Sequence, residues 1–224
     1  TSLNLHFCTS LVSLPDSIGD LTSLTELDLS YCEKLESLPD SIGVLKSLAK
    51  LELGCTSLVS LPERFGECKS LTSLNLYECR SLKSLPDSIG QCKTLTFLNL
   101  YRCTSLVALP DRFGECKALE TLILEGCTKL ASVPDSIGDL TNLKELHMGE
   151  CTSLVSLSEG FGKLVNIDKK SFMAAIKHVK TLPEDIVEHP HLRDATELDL
   201  SYSNLVSLPK RFGELNLTIL KLCK

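Results

Sequence analysis

Residues Leu24 to Ser47 read L-T-E-L-D-L-S-Y-C-E-K-L-E-S-L-P-D-S-I-G-V-L-K-S, and this stretch decides the fold because it recurs. Leu95 to Ala118 read L-T-F-L-N-L-Y-R-C-T-S-L-V-A-L-P-D-R-F-G-E-C-K-A, the same frame with the same apolar positions. The prolines that follow Leu or Val (Pro15, Pro39, Pro62, Pro86, Pro110 and Pro134) are spaced by 23 or 24 residues. Ser158 then stands where a proline is due, and the series resumes at Pro183 and Pro209 with slightly longer steps. Periods of this length are the mark of a stacked array, in which no unit can bury its apolar face alone.

Each unit divides into two parts. Leu27 and Leu29 flank Asp28, and Leu98 and Leu100 flank Asn99. That alternation predicts a half-buried strand with leucines inward and Asp28 or Asn99 in solvent. The L-P-D-S-I-G segment turns the chain back: Pro fixes φ, Asp and Ser favour a short helical turn, and Gly allows a tight exit. Ile18, Ile42, Phe65, Ile89, Phe113, Ile137, Phe161, Ile186 and Phe212 form one column there and are read as core.

The motif L-x-x-L-x-L-x-x-C-x-x-L resembles the leucine-rich repeat, over essentially the whole chain. The resemblance implies an α/β solenoid: a curved horseshoe with a parallel concave sheet of about ten strands, and a convex side of short helical or 3-10 turns and loops. One domain is expected over 1–224, with regular repeats over 1–157, an irregular unit over 158–195 and a regular repeat to 224. Both ends read as the middle of a repeat. We therefore expect an uncapped segment of a longer array, able to self-associate end to end. The C-x-x-L-x-x-L-P-x-x-I-G form further resembles the arrays of plant intracellular immune receptors of the nucleotide-binding type. That implies a protein-recognition module for ligand sensing or regulation in plant defense. Similar units occur in Roco-type GTPases and ubiquitin-ligase effectors, where the array is a scaffold. A structural or designed solenoid without specific ligand is the third reading.

Composition narrows the function. The chain of 224 residues carries 23 basic and 29 acidic residues, a net charge of -6. Nucleic-acid binding needs clustered positive charge, so no nucleic acid is expected. No apolar stretch is long enough to span a bilayer, so no membrane partner is expected. Walker loops, G-x-G-x-x-G, H-E-x-x-H and G-x-S-x-G motifs are missing, so we expect no enzyme, no cofactor and no catalytic residue. His189 and His191 flank Pro190 and with Glu188 could touch a metal; a solvated turn is the favoured reading, and no metal site is expected.

Eleven cysteines suggest disulfides until their positions are read. Cys8, Cys32, Cys55, Cys79, Cys103, Cys127 and Cys151 share the slot after the strand, and Cys68, Cys92 and Cys116 replace convex-side leucines. Cys223 reads as a strand residue. A ladder of buried free thiols is expected. Such a ladder suits a reducing compartment, so the chain is read as cytoplasmic or intracellular. The sequon Asn216-Leu217-Thr218 points the other way and is discounted, because a glycan there would clash with the array.

A protein or peptide partner would meet the concave face. The candidate contacts are Tyr31, Asn75, Tyr77, Glu78, Phe97, Asn99, Tyr101 and Arg102, since exposed Tyr and Arg are favoured anchors. The irregular unit offers a second candidate. Phe172, Ile176 and Val179 recur at helical spacing, and Lys169, Lys170, Lys177 and Lys180 make that segment a basic docking island or a degenerate repeat that bends the array.

Overall fold

The protein is described by a computed structural model over residues 1–222. Cys223 lies outside the described residues. The period-2 leucines do form strands. β1 (Ser2–Asn4), β2 (Glu26–Asp28), β3 (Lys50–Glu52), β4 (Ser73–Asn75), β5 (Phe97–Asn99), β6 (Thr121–Ile123) and β7 (Glu145–His147) make one parallel seven-stranded sheet in chain order. The register pairs like with like: Leu3, Leu27, Leu51, Leu74, Leu98, Leu122 and Leu146 are aligned strand to strand. Side chains alternate across a strand, so this leucine row turns inward, buried from Leu27 onward, while its neighbours Asp28, Glu52, Asn75 and Asn99 face outward. Each fully buried leucine contributes roughly 1.5–3 kcal/mol.

Opposite the sheet, each L-P-x-x-I/F-G segment forms a five-residue 3-10 turn, from Asp16–Asp20 to Lys210–Glu214. Pro lies just outside the turn in extended conformation, and Ser158 takes closely similar dihedral angles in its place. The glycine of the turn lets successive coils touch backbone to backbone. A Cβ on Gly66 or Gly114 would overlap the carbonyl oxygen of Ser88 or Ser136 in the next coil.

The cysteine ladder closes the coils from within. Cys32, Cys103, Cys127 and Cys151 donate their thiols to the carbonyls of Leu5, Leu76, Leu100 and Leu124, each one coil earlier, at 3.1–3.3 Å. Cys68 and Cys116 do the same toward Ile42 and Ile89. Every described cysteine is free, and all but Cys8 are buried. Desolvation pushes the Cys79 and Cys127 thiols up to about 12.

The expectation of about ten strands is corrected to nine among the described residues, in two sheets. In the irregular unit the strand position is taken by a helix, α1 (Lys169–His178), packed beside β7. Lys169 replaces the leucine that a strand would bury, whereas Asp168 caps a helix: its side chain accepts the Ser171 N–H at 3.0 Å. Phe172, Ile176 and Val179 are buried, as helical spacing requires. After α2 (Pro190–Arg193) the array resumes as a separate two-stranded sheet, β8 (Glu197–Asp199) with β9 (Ile219–Lys221).

The segment Glu188–His191 is not a solvated turn. His189 is 0% exposed, stacked on Phe172 with ring centroids 3.9 Å apart. Its Nε2 lies 3.0 Å from the Leu164 carbonyl, and its Nδ1 accepts the His191 N–H at 3.2 Å, which fixes the neutral tautomer with hydrogen on Nε2. Burial pulls its pKa down to about 4. His191 directs its own Nε2 at the Ile167 carbonyl, 2.8 Å away. Each ring thus reaches a carbonyl of the preceding coil instead of converging with Glu188 on one point.

Candidate functional site

Where each strand ends, the concave face meets a row of protruding side chains. Asn4, Asp28, Asn75, Asn99 and Asp199 each accept, through Oδ1, the N–H two residues on. These side-chain-to-backbone turns hold the next two residues up from the strand. The second of them adopts positive φ: Phe7, Tyr31, Glu78, Arg102 and Tyr202, with Gly126 and Glu150 in the same slot of their own coils. For a residue with Cβ this costs roughly 1–2 kcal/mol. The cost is offset by an N–H bond to the following coil, as in Tyr31 to the Gly54 carbonyl at 3.2 Å and Glu78 to the Tyr101 carbonyl at 2.7 Å.

The outcome is a line of aromatic and charged groups along one rim of the concave face. Phe7 stacks on Tyr31 at 4.7 Å, with His6 edge-on to both. Tyr77 stacks on Tyr101 at 5.4 Å, and the Arg102 guanidinium lies 5.1 Å from the Tyr101 ring centroid. Glu78 bridges Arg80 at 3.0 Å and Arg102 at 3.5 Å. The charge of Glu78, first among the causes, raises the Tyr77 phenol pKa, so the hydroxyl is a donor at neutral pH.

Of the sequence candidates, Tyr77, Glu78, Tyr101 and Arg102 come together as one cluster. Tyr31 belongs to a second cluster with Phe7. Asn75 and Asn99 lie beneath the tyrosines, and their Oδ1 atoms are committed to holding Tyr77 and Tyr101 in place. Asn75 also donates to Glu52 at 2.6 Å. Phe97 is half-buried in strand β5 and makes no ring contact with either tyrosine. Phe7 and Gly54 are rim residues that the sequence candidates leave out. The 23-residue step from Pro39 to Pro62 is the signal for Gly54.

The basic candidates sit elsewhere. Lys169, Met173 and Lys177 follow one another along α1 and, with Leu198, Asp199, Ile219 and Lys221, line a hollow of about 410 Å³ between α1 and the second sheet. Lys170 and Lys180 are exposed outside it. Asp199 is held below its ordinary pKa by the Ser201 N–H first, with Lys177 and Lys221 adding to it. Among the described residues no helix is long and apolar enough to cross a membrane.

This architecture is a leucine-rich repeat solenoid, a class whose domains generally serve as protein-interaction modules. The leucine-rich repeat family model matches residues 23–45 and 70–92. Among solved structures, the chain is similar to the leucine-rich repeat domain of the type III effector XopL, with 24% identity, a TM-score of 0.69, and coverage of 94% of this chain and 73% of that one. A Leptospira interrogans leucine-rich repeat protein aligns at 25% identity over 98% of this chain and 83% of that one, with a TM-score of 0.29. The Arabidopsis receptor kinase HAESA, solved with the peptide hormone IDA and the co-receptor SERK1, aligns at 20% identity over 99% of this chain and 46% of that one, with a TM-score of 0.44. The first of these supports the fold; the other two superpose too loosely to add to it. No curated protein matches the sequence.

Proposed function

We propose that this chain is a protein-recognition module that reads its partner with the aromatic rim of the concave face, within a larger intracellular receptor. The observation that carries the reading is the Tyr77–Tyr101–Arg102 stack with Glu78. Two parallel, half-exposed rings lie beside the guanidinium of Arg102, whose own backbone is held at positive φ, and no core packing requires them. Rigid aromatic and arginine groups offer contact area at little entropic cost, which is why they anchor interfaces. The stacked free thiols favour a reducing compartment. The resemblance of the C-x-x-L-x-x-L-P-x-x-I-G units to plant nucleotide-binding immune receptors favours a sensing or self-inhibiting role. The second reading is a scaffold role within an effector, the kind of protein that carries the similar XopL domain. In that reading the α1 hollow, with Lys169 and Lys177, would be the contact.

Quantitative capture from the source extract separates them, using the native chain, Tyr77→Ala/Tyr101→Ala and Lys169→Glu/Lys177→Glu. A partner held by the native chain and the lysine variant but lost by the tyrosine variant is expected. Loss only in the lysine variant transfers the site to α1. Equal capture by all three removes the concave reading.

A further inference from the structure

The helix that interrupts the array leaves a strand edge open. β8 pairs with β9 on one side only, and the coil before it supplies α1 in place of a strand. The two coils are stacked directly: Asn204 donates its N–H to the Lys177 carbonyl and Val206 donates to Lys180, each at 2.9 Å. Yet α1 packs against β7 and makes no comparable contact with β8. The hollow of about 410 Å³ lies between them, with Glu197, Leu198 and Asp199 of β8 on one wall and Lys169, Met173 and Lys177 of α1 on the other. That volume falls within the range of ligand-binding clefts, roughly 300–1,000 Å³.

The backbone on the β8 wall is unsatisfied. The Thr196 carbonyl accepts from Thr218, and the Leu200 N–H donates to Lys221, so both turn toward β9. Successive residues of a strand in a parallel ladder turn to opposite sides, which directs the N–H and C=O groups of Glu197 and Asp199 at the hollow. From β1 to β7 the carbonyl of each strand's third residue accepts an N–H from the coil before, at 2.7–2.9 Å, as Asn99 does from Leu76. Among the described residues no N–H of the α1 coil does this for Asp199.

The opposite wall is basic and also unsatisfied. Lys50, Lys93 and Lys144 pair with carboxylates at 2.9–3.1 Å. Among the described residues Lys169, Lys177 and Lys221 have no such partner; Asp199, the acid nearest Lys177 and Lys221, spends its Oδ1 on the Ser201 N–H. Lys169, half-buried Met173 and Lys177 follow at i, i+4 and i+8, a rise of about 6 Å per step. Alternate residues of an extended chain advance by about 6.6 Å, so acid-x-apolar-x-acid matches the helix wall step for step.

We propose that the open edge of β8 takes an extended segment of a protein partner as an added strand, with acidic side chains set against Lys169 and Lys177 and an apolar one against Met173. Main-chain pairing at a sheet edge supplies affinity and the side chains supply selection. A helix laid in the hollow leaves the edge groups unpaired, and a small anion meets the lysines alone. The proposal rests on the α1 contact of the second reading and is independent of the tyrosine rim.

The probe is the peptide acetyl-ETVTE-amide, titrated into the whole ¹⁵N-labelled chain and followed by amide shifts. Saturable shifts centred on Glu197, Asp199 and α1 are expected. Acetyl-KTVTK-amide, and the first peptide with every backbone amide N-methylated, are each expected to bind at least tenfold more weakly. Lys169→Gln/Lys177→Gln should weaken the probe at least fivefold at unchanged thermal stability, since neither lysine holds an ion pair. Lys170→Gln/Lys180→Gln, outside the hollow, should leave it unchanged. Equal binding of the basic or the N-methylated peptide, or equal weakening by the two lysine variants, overturns the proposal. Because the peptide is supplied, such a failure leaves the capture result standing. Loss of the scaffold reading shows instead as capture unchanged in the Lys169→Glu/Lys177→Glu chain.

Discussion

The coils of β1 to β7 and the segment from Ser158 onward solve the same problem with different chemistry. In the first region, coil stacks on coil through repetition: an aligned leucine row, thiols on carbonyls, and glycines that bring backbone against backbone. In the second, a helix replaces a strand and the stacking carbonyls of Leu164 and Ile167 are met by two histidine rings, wedged against Phe172. Repetition needs only the same leucine, thiol and glycine slots refilled in each coil. Its interruption needs large, shaped, titratable ones. The second region should therefore be the more sensitive to single substitutions and to acid.

The largest expected effect is at the wedge. Phe172→Ala removes a fully buried ring and should cost about 4 kcal/mol. Nearest-neighbour coupling makes the damage local. Amide exchange should show lost protection in β8 and β9 with β1 to β7 preserved; a uniform loss along the chain would break the comparison.

Acid comes next. His189 has a folded pKa of about 4 against an ordinary value near 6.5. Below about pH 6.5 the unfolded chain takes a proton that the folded one refuses, so stability falls as pH drops toward 4 and levels below it. The loss amounts to at most roughly 3 kcal/mol. Denaturant melts at pH 7 and pH 4 measure it, and His189→Gln should flatten the dependence. An unchanged dependence would show that the ring is not the acid-sensitive plug.

Gly114→Ala and Gly213→Ala sharpen the contrast within one slot. The first Cβ would strike the Ser136 carbonyl, whereas the second meets nothing within 4 Å. We expect a cost of about 2 kcal/mol for the first by overpacking, and within about 0.5 kcal/mol for the second. Equal costs in thermal melts would mean that close coil contact is not what the glycine column provides.

The smallest effect is at Asp185, which fills the slot of Ser88 and Ser136. Those hydroxyls accept the N–H of Gly66 and Gly114, but Asp185 Oδ1 is buried without a partner. Desolvation first, then Glu159, raises its pKa to about 6. Here the sign is opposite to that of His189: the folded chain holds its proton longer, so stability falls as pH rises from about 4 to 6. Asp185→Ser should restore the ladder and add about 1 kcal/mol at pH 7, after allowing for solvent screening at this partly exposed group. No gain at pH 7 would remove the repulsion argument.

Much of the fold was legible in the sequence, for reasons that mark the limit. Leu27, Leu29 and Cys32 recur in frame, and recurrence at period 2 fixes both strand and burial. The concave tyrosines followed from the same frame. His189 did not. A histidine beside Pro190 and Glu188 carries the local signature of a turn, and its burial depends on Phe172, seventeen residues away, whose partner could not be inferred from spacing. Asn75 and Asn99 were legible as surface positions but not as supports for Tyr77 and Tyr101, because that bond is made to nearby backbone. The shortened third coil was visible as a number.

The thiols have a use beyond packing. A cysteine with a pKa near 12, as at Cys79 and Cys127, is thiolate to the extent of only on the order of 10⁻⁵ at neutral pH, and it is shielded besides. Alkylation therefore waits until its coil opens. With a cysteine in nearly every coil from Cys8 to Cys151, the chain carries a set of gauges at regular intervals, and pulsed labelling read by mass spectrometry would record how far a bound partner, or a lost one, stills the array coil by coil.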